Sequence, residues 1–104
     1  MVTWDGEGVS RKMFGLTIKR LPWSAVAEVG VMGTKAFNRN APHKTGRMYI
    51  YFSEKAMTEK DRFNMMLNWP PVGRIYLLYQ TDRLESLRRC WSGVIQTYNT
   101  GDEI

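Results

Sequence analysis

The chain of 104 residues carries 15 Lys and Arg against 10 Asp and Glu, and 43% of its residues are hydrophobic. This composition is that of a folded globular domain and argues against a disordered chain. No apolar run approaches the ~18 residues of a membrane span, MVTWDGEG lacks a signal-peptide pattern, and one cysteine excludes an internal disulfide.

The net charge of +5 lies in the first half of the chain. Residues 1–53 hold eight Lys and Arg against three acids, whereas residues 54–104 hold seven of each. A basic half favours anionic partners, although excess charge also serves solubility alone.

The first elements are predicted from two short turns. Asp5-Gly6 is a hairpin signal, and Gly15 separates a strand over residues 9–14 from a returning strand over residues 16–21. On the returning strand Leu16 and Ile18 alternate with polar residues, as expected of a strand with two different faces. Residues 29–31 then predict another strand.

The middle of the chain combines a polar loop, a strand and a short helix. Residues 33–47 are basic and rich in turn formers, which predicts an exposed loop. MYIYFS, residues 48–53, is the clearest strand, and its two apolar faces predict a central position in a sheet. Thr58 and Asp61 have capping-box spacing at the start of a helix. The apolar face of that helix is predicted to consist of Phe63, Met66 and Leu67.

The C-terminal third predicts one strand and one long helix. RIYLLYQ, residues 74–80, is typical of a strand. From Thr81 to Gly101 a capped helix is expected, because apolar residues recur at helical spacing. This stripe consists of Leu84, Leu87, Trp91, Val94, Ile95 and Tyr98.

The order of these elements resembles that of bacterial pleckstrin-homology-like (PH-like) domains. The motifs that carry the resemblance are Gly8-Val9, Phe14-Gly15, Pro22-Trp23-Ser24 and Val26, followed by YIYFSEK, RIYLLY and a terminal helix bearing Trp91. The resemblance implies a mainly β (α+β) fold. It would be a bent antiparallel barrel or sandwich of six to seven strands, with a short inserted helix and a C-terminal amphipathic helix.

A single PH-like domain is expected over residues 1–104. We also expect this domain to be the soluble portion of a longer membrane-associated protein, because bacterial relatives of this type often follow membrane helices. The predicted core consists of Trp23, Tyr51, Phe52, Ile75, Leu77, Leu84, Leu87, Trp91 and Ile95.

No set of residues predicts catalysis. His43 and Cys90 are the single histidine and cysteine, so a zinc site of ordinary ligands is not expected. The sequence also lacks the spacing of a phosphate-binding loop and a nucleophile–base motif. We therefore expect a non-enzymatic binding or scaffold domain without metal, cofactor or small-molecule substrate.

The candidate binding residues lie on the first long hairpin. Arg11 and Lys12 precede the turn at Gly15, and Lys19 and Arg20 follow it. In PH-like domains a basic early hairpin often holds anionic lipid headgroups, so the resemblance implies an anionic membrane surface as a partner. Strand alternation separates neighbours, and Lys12 with Lys19 is expected on one face and Arg11 with Arg20 on the other.

Two further partners are considered. A protein partner fits a scaffold domain, but the sequence does not identify it. The alternative function is that of a small basic nucleic-acid-binding protein, in which the loop over residues 33–47 contacts the backbone through Lys35, Arg39, Lys44 and Arg47. Nucleic acid is the weaker hypothesis because Asp82 and Glu85 offset the basic residues of the last helix. The expected location is the cytoplasm or the cytoplasmic face of a membrane.

Overall fold

The computed structural model describes residues 1–34 and 47–100. Seven strands, two α-helices and one 3₁₀ turn at Trp23–Ala25 are formed within these residues. In chain order the strands and helices are β1 (Val2–Trp4), β2 (Gly8–Met13), β3 (Leu16–Pro22), β4 (Glu28–Gly33), β5 (Met48–Ser53), α1 (Glu59–Leu67), β6 (Ile75–Leu78), α2 (Thr81–Cys90) and β7 (Ile95–Tyr98).

The strands form two sheets. The first is an antiparallel sheet in the order β1-β2-β3, and the second has the order β6-β5-β4-β7. The predicted mainly β fold with a short inserted helix is confirmed, as is the central position of β5 between β4 and β6. Among the described residues the sheets remain separate, so no closed barrel is formed.

The predicted long C-terminal helix is wrong beyond Cys90. Trp91 already has extended backbone angles of φ −107° and ψ 112°, and residues 95–98 form β7. The sequence IQTY after Val94 contains two β-branched residues, Ile95 and Thr97, and one aromatic residue, and these residue types favour a strand although Ile95 and Tyr98 also fit a helical stripe. The free edge of β4 decides between them, because it accepts β7 as a hydrogen-bonded neighbour.

The pairing of β7 also corrects the prediction of a purely antiparallel arrangement. β7 runs parallel to β4, with Val29 opposite Ile95 and Met32 opposite Tyr98. A parallel neighbour requires a long crossover, and the chain between β4 and β7 provides it through β5, α1, β6 and α2.

The main core lies between the first sheet, one face of the second sheet and α2. Val9 and Leu21 meet Val29 and Phe52, and Leu87 closes the cluster from α2. Of the nine predicted core residues, five are buried: Tyr51, Phe52, Ile75, Leu84 and Leu87. The other four are half-buried and pack against this cluster: Trp23, Leu77, Trp91 and Ile95.

Helix α1 covers the opposite face of the second sheet. Met65 and Met66 pack there against Met32, Met57 and Tyr51. The capping box predicted for Thr58 and Asp61 is confirmed, with reciprocal bonds of 3.0 and 3.1 Å.

The predicted apolar face of α1 is wrong for two of its three residues. Phe63 and Leu67 are exposed, whereas Arg62 is buried with Met65 and Met66. The helix is rotated from the predicted orientation because Arg62 forms an ion pair with buried Glu28, which lies on β4 beneath the helix.

Candidate functional site

The β2–β3 hairpin turns through two residues, Phe14 and Gly15. Both have positive φ, 54° and 79° respectively. Positive φ at both central residues is the requirement of the two-residue turn that matches the twist of paired strands. Gly15 meets this requirement without steric cost, but Phe14 is a bulky residue in a region that favours Asn or Gly. The turn predicted at Gly15 is thus confirmed, and it carries an aromatic side chain in a disfavoured conformation.

The strand register decides which basic side chains share a face. Arg11 lies opposite Lys19, and Ser10 lies opposite Arg20. Ile18 is the extra residue of a β-bulge, after which Lys12 lies opposite Thr17. Cross-strand neighbours share a face, so Arg11 groups with Lys19. Ser10 and Lys12 share the other face of β2 because side chains alternate along a strand. Lys12 therefore groups with Arg20, the neighbour of Ser10. The predicted grouping of Lys12 with Lys19 and of Arg11 with Arg20 is therefore wrong.

Two of the four predicted binding residues already have partners within the protein. Lys19 Nζ donates to the carbonyl oxygen of Gly73 at 2.5 Å and lies 3.4 Å from a carboxylate oxygen of Glu54. The Arg20 guanidinium lies 3.0 Å from Glu7 Oε2 in an exposed ion pair. Through these contacts Lys19 connects β3 to the segment that precedes β6.

Arg11 and Lys12 differ from this pair. Both are exposed, and neither forms an ion pair with a carboxylate in the described part of the chain. Lys12 lies one pair closer to the turn than Lys19, and Arg11 lies directly opposite Lys19. Of the four residues, Arg11 and Lys12 are the cations that remain available to an external anion.

The end of the hairpin is apolar as well as exposed. We call Met13, Phe14, Leu16 and Ile18 the apolar tip. Phe14 is 96% exposed and Leu16 is 72% exposed, and every residue from Arg11 to Ile18 is exposed. This apolar tip was not predicted, because the alternation of Leu16 and Ile18 with polar residues indicated only a strand with two different faces. The sequence did contain a signal for an exposed apolar tip, because the basic pairs Arg11-Lys12 and Lys19-Arg20 flank these residues on the two strands.

A shallow cleft opens at the base of the hairpin, with a volume of about 470 Å³. Three cationic side chains and one carboxylate contribute to its lining: Lys19, Lys55, Arg74 and Glu54. The Ser53 hydroxyl in the same lining hydrogen-bonds the backbone of Lys55 and is not presented as a nucleophile. Within residues 1–34 and 47–100, no group of three or more His, Cys, Asp or Glu side chains could hold a metal ion.

The second concentration of charge is a buried cluster around Glu28. Arg62 donates to both carboxylate oxygens, at 2.8 and 3.2 Å. The Tyr51 hydroxyl and the Met57 amide donate to the same carboxylate at 2.7 and 3.2 Å. We call Glu28, Arg62 and Tyr51 the buried charge cluster. A Cβ on Gly30 would lie 2.3 Å from the Tyr51 hydroxyl oxygen, so glycine leaves the space that this hydroxyl occupies.

The pKa values within the buried charge cluster follow from these contacts. Burial raises the pKa of Glu28, but the hydrogen bonds from Arg62, Tyr51 and Met57 outweigh it and hold the pKa below its usual value. Burial and the hydrogen bond to Glu28 raise the pKa of Tyr51. The hydrogen bond to Glu28 raises the pKa of Arg62. Glu28 is therefore a paired anion at neutral pH, and its oxygens are occupied by donors from the protein.

Other predicted positions lie away from the hairpin. Cys90 is a half-buried free thiol at the end of α2. Trp69 packs against Tyr49 and Tyr76, with ring centroids 5.1 and 5.2 Å away, and so fixes the segment after α1. His43, Lys35, Arg39 and Lys44 fall outside the described residues. Arg47 is exposed, and its carbonyl oxygen accepts a hydrogen bond from Thr34.

Comparison of the chain with protein-family models, with curated proteins and with solved structures gives no match in any of the three. In the described ranges no helix has both the length and the apolar character needed to cross a bilayer. Function is therefore inferred from the geometry of the hairpin.

Proposed function

We propose that this protein is a non-enzymatic, PH-like binding domain that docks on an anionic membrane surface through its β2–β3 hairpin. A single observation carries the proposal: the hairpin is exposed from Arg11 to Ile18, and Arg11 and Lys12 have no carboxylate partner in the described chain. The PH-like assignment rests on the sequence resemblance, and the mainly β fold with the inserted α1 is compatible with it. The parallel β7 is a departure from the arrangement that the resemblance implies.

Electrostatics sets the strength of such docking. Each basic residue near an anionic leaflet contributes about 1 kcal/mol, and the attraction decays within the Debye length of ~8–10 Å. Arg11 and Lys12 alone therefore give weak, salt-sensitive binding. Lys19 and Arg20 contribute less because Glu54 and Glu7 already neutralise them. In a scaffold role the domain would also bind a protein partner, and the membrane surface would raise the local concentration of the domain and of that partner.

Co-sedimentation with vesicles tests the proposal. The parent protein should bind phosphatidylserine vesicles at low salt and lose most of this binding at high salt. It should not bind phosphatidylcholine vesicles. The Arg11→Glu/Lys12→Glu variant should bind at least about 30-fold more weakly, since it removes two contributions of ~1 kcal/mol each. A Lys60→Glu/Arg88→Glu variant has the same net charge, with both changes at exposed helical positions, and should retain most binding.

Three results would overturn the proposal. The parent protein would fail to bind anionic vesicles, or both double variants would lose binding equally and so indicate only a net-charge effect. Binding to duplex DNA without binding to vesicles would assign Arg11 and Lys12 to a nucleic-acid contact.

A further inference from the structure

The apolar tip is an exposed apolar surface that the body of the protein does not use. Met13 and Leu16 are cross-strand neighbours on either side of the turn, and Phe14 projects from the turn itself. The exposed fractions are 96% for Phe14, 72% for Leu16, 53% for Ile18 and 44% for Met13. Single exposed apolar residues are ordinary, but a contiguous group at the exposed end of a hairpin marks a contact surface.

The backbone at Phe14 adds a second and independent observation. A φ of 54° is uncommon for an aromatic residue, and Asn or Gly would satisfy the turn at lower conformational cost. Disfavoured backbone conformations concentrate at functional positions, where the side chain serves a purpose that local stability does not. The turn thus holds a large apolar side chain at its outermost point despite a local cost.

The spacing between charge and apolar surface fits a lipid leaflet. Phe14 follows Arg11 by three residues and Lys12 by two, which corresponds to about 7–10 Å along a strand that rises ~3.3 Å per residue. Apolar side chains of interfacial segments enter the boundary of headgroups and acyl chains by ~5–10 Å. With the apolar tip at that depth, Arg11 and Lys12 lie at the level of the headgroups.

Charge complementarity favours a bilayer over a protein as the occupant. Arg11 and Lys12 belong to opposite faces of the hairpin, so the cations flank the apolar tip on both sides. An anionic leaflet into which the hairpin inserts meets both faces at once, whereas a protein docked on one face would leave one cation unmatched. Four side chains also fall short of the ~20–30 residues on each side of a standard protein interface.

We infer that the apolar tip inserts into the outer acyl region of an anionic leaflet and is the second anchor of the hairpin. This inference rests on the proposed function, since Arg11 and Lys12 bring the hairpin to the surface that the apolar tip enters. Electrostatic contact alone is weak, and stable attachment takes two signals. Basic side chains and an apolar tip on one hairpin provide both.

Phe14→Asn separates insertion from folding. Asn suits positive φ, so the variant should unfold at the same or a higher urea concentration than the parent. It should bind phosphatidylserine vesicles about 10-fold more weakly, because the buried aromatic surface is lost. A loss of binding together with a gain in stability cannot arise from unfolding.

A probe at the same position tests depth directly. In a Cys90→Ser background, Phe14→Cys and Lys60→Cys are each labelled with the environment-sensitive fluorophore NBD. On phosphatidylserine vesicles, emission from position 14 should shift to the blue and be quenched by doxyl groups on the acyl chains. Emission from position 60, an exposed position on α1, should change little.

The outcomes distinguish this inference from the proposed function. In one outcome the parent binds vesicles and the Arg11→Glu/Lys12→Glu variant does not, but Phe14→Asn binds like the parent and the emission from position 14 does not shift. Insertion is then wrong, and docking of the hairpin is still supported. If the parent does not bind anionic vesicles, docking and insertion both fall. A dimer of the parent in sedimentation velocity that Phe14→Asn abolishes would assign the apolar tip to a second copy of the chain and overturn insertion.

Discussion

The buried charge cluster and the hairpin use charged residues in opposite ways. Glu28 is enclosed, and four hydrogen bonds from Arg62, Tyr51 and Met57 satisfy its carboxylate. Arg11 and Lys12 face solvent without a carboxylate partner in the described chain. The first arrangement fixes α1 on the second sheet, and the second leaves charge available to an external anion. We therefore expect mutations to affect stability and the proposed anion binding separately.

The largest expected effect comes from breaking the buried pair. Arg62→Met should lower the free energy of unfolding by about 3–5 kcal/mol, because it leaves Glu28 charged, buried and without its main partner. Urea denaturation measures the loss. Adding Glu28→Gln to Arg62→Met should recover part of it, since the uncompensated charge is then removed.

An exposed arginine provides the matched control. Arg88→Met on α2 should change stability by less than about 0.5 kcal/mol. If Arg62→Met were as mild as Arg88→Met, the buried charge cluster would not be what holds α1 in place.

A smaller effect is expected from pH. The folded state holds the pKa of Glu28 below its usual value of 4.5, so the unfolded state binds the proton at higher pH. The contribution to stability is thus fully present above about pH 4.5 and is lost as pH falls through the lowered folded-state pKa. The difference in unfolding free energy between the parent and Glu28→Gln should shrink from pH 7 to pH 3. A difference independent of pH over that range would contradict this assignment.

The smallest stability effect is expected on the hairpin. Leu16→Ala should change the unfolding free energy by less than about 0.5 kcal/mol, since Leu16 is exposed. The same substitution at fully buried Leu87 should cost about 2–5 kcal/mol. Thermal or urea unfolding of the two variants compares the regions directly, and a costly Leu16→Ala would mean that the apolar tip packs on the body.

Elements with local signals were predictable from the sequence. The capping box of α1 depends on Thr58 and Asp61, three residues apart, and the hairpin turn depends on Gly15. The secondary structure of residues 91–98 was not predictable from such local signals. Their apolar spacing is that of a helix, whereas their β-branched and aromatic residues favour a strand, and the outcome depends on the open edge of β4, more than 60 residues earlier in the chain.

The sequence indicated a basic hairpin but not the arrangement of its side chains or its apolar tip. Basic residues on both sides of Gly15 indicated the hairpin as a charged element. The bulge at Ile18 shifts the register by one residue, and such a shift changes which side chains share a face. The sequence also gives no sign that Glu54 and Glu7 neutralise Lys19 and Arg20, because these contacts depend on tertiary structure.

The parallel pairing of β7 with β4 has a consequence for the order of folding. Asn99 reaches back to the carbonyl oxygen of Gly33 across 66 residues, whereas β2 and β3 meet through a two-residue turn. Closing a long loop costs entropy before any contact compensates for it, so local hairpins form early and distant pairings form late. We therefore expect that, during folding, one edge of β4 has unpaired backbone hydrogen-bonding groups until residues 95–98 pair with it. In that interval the edge can pair with strands of other chains.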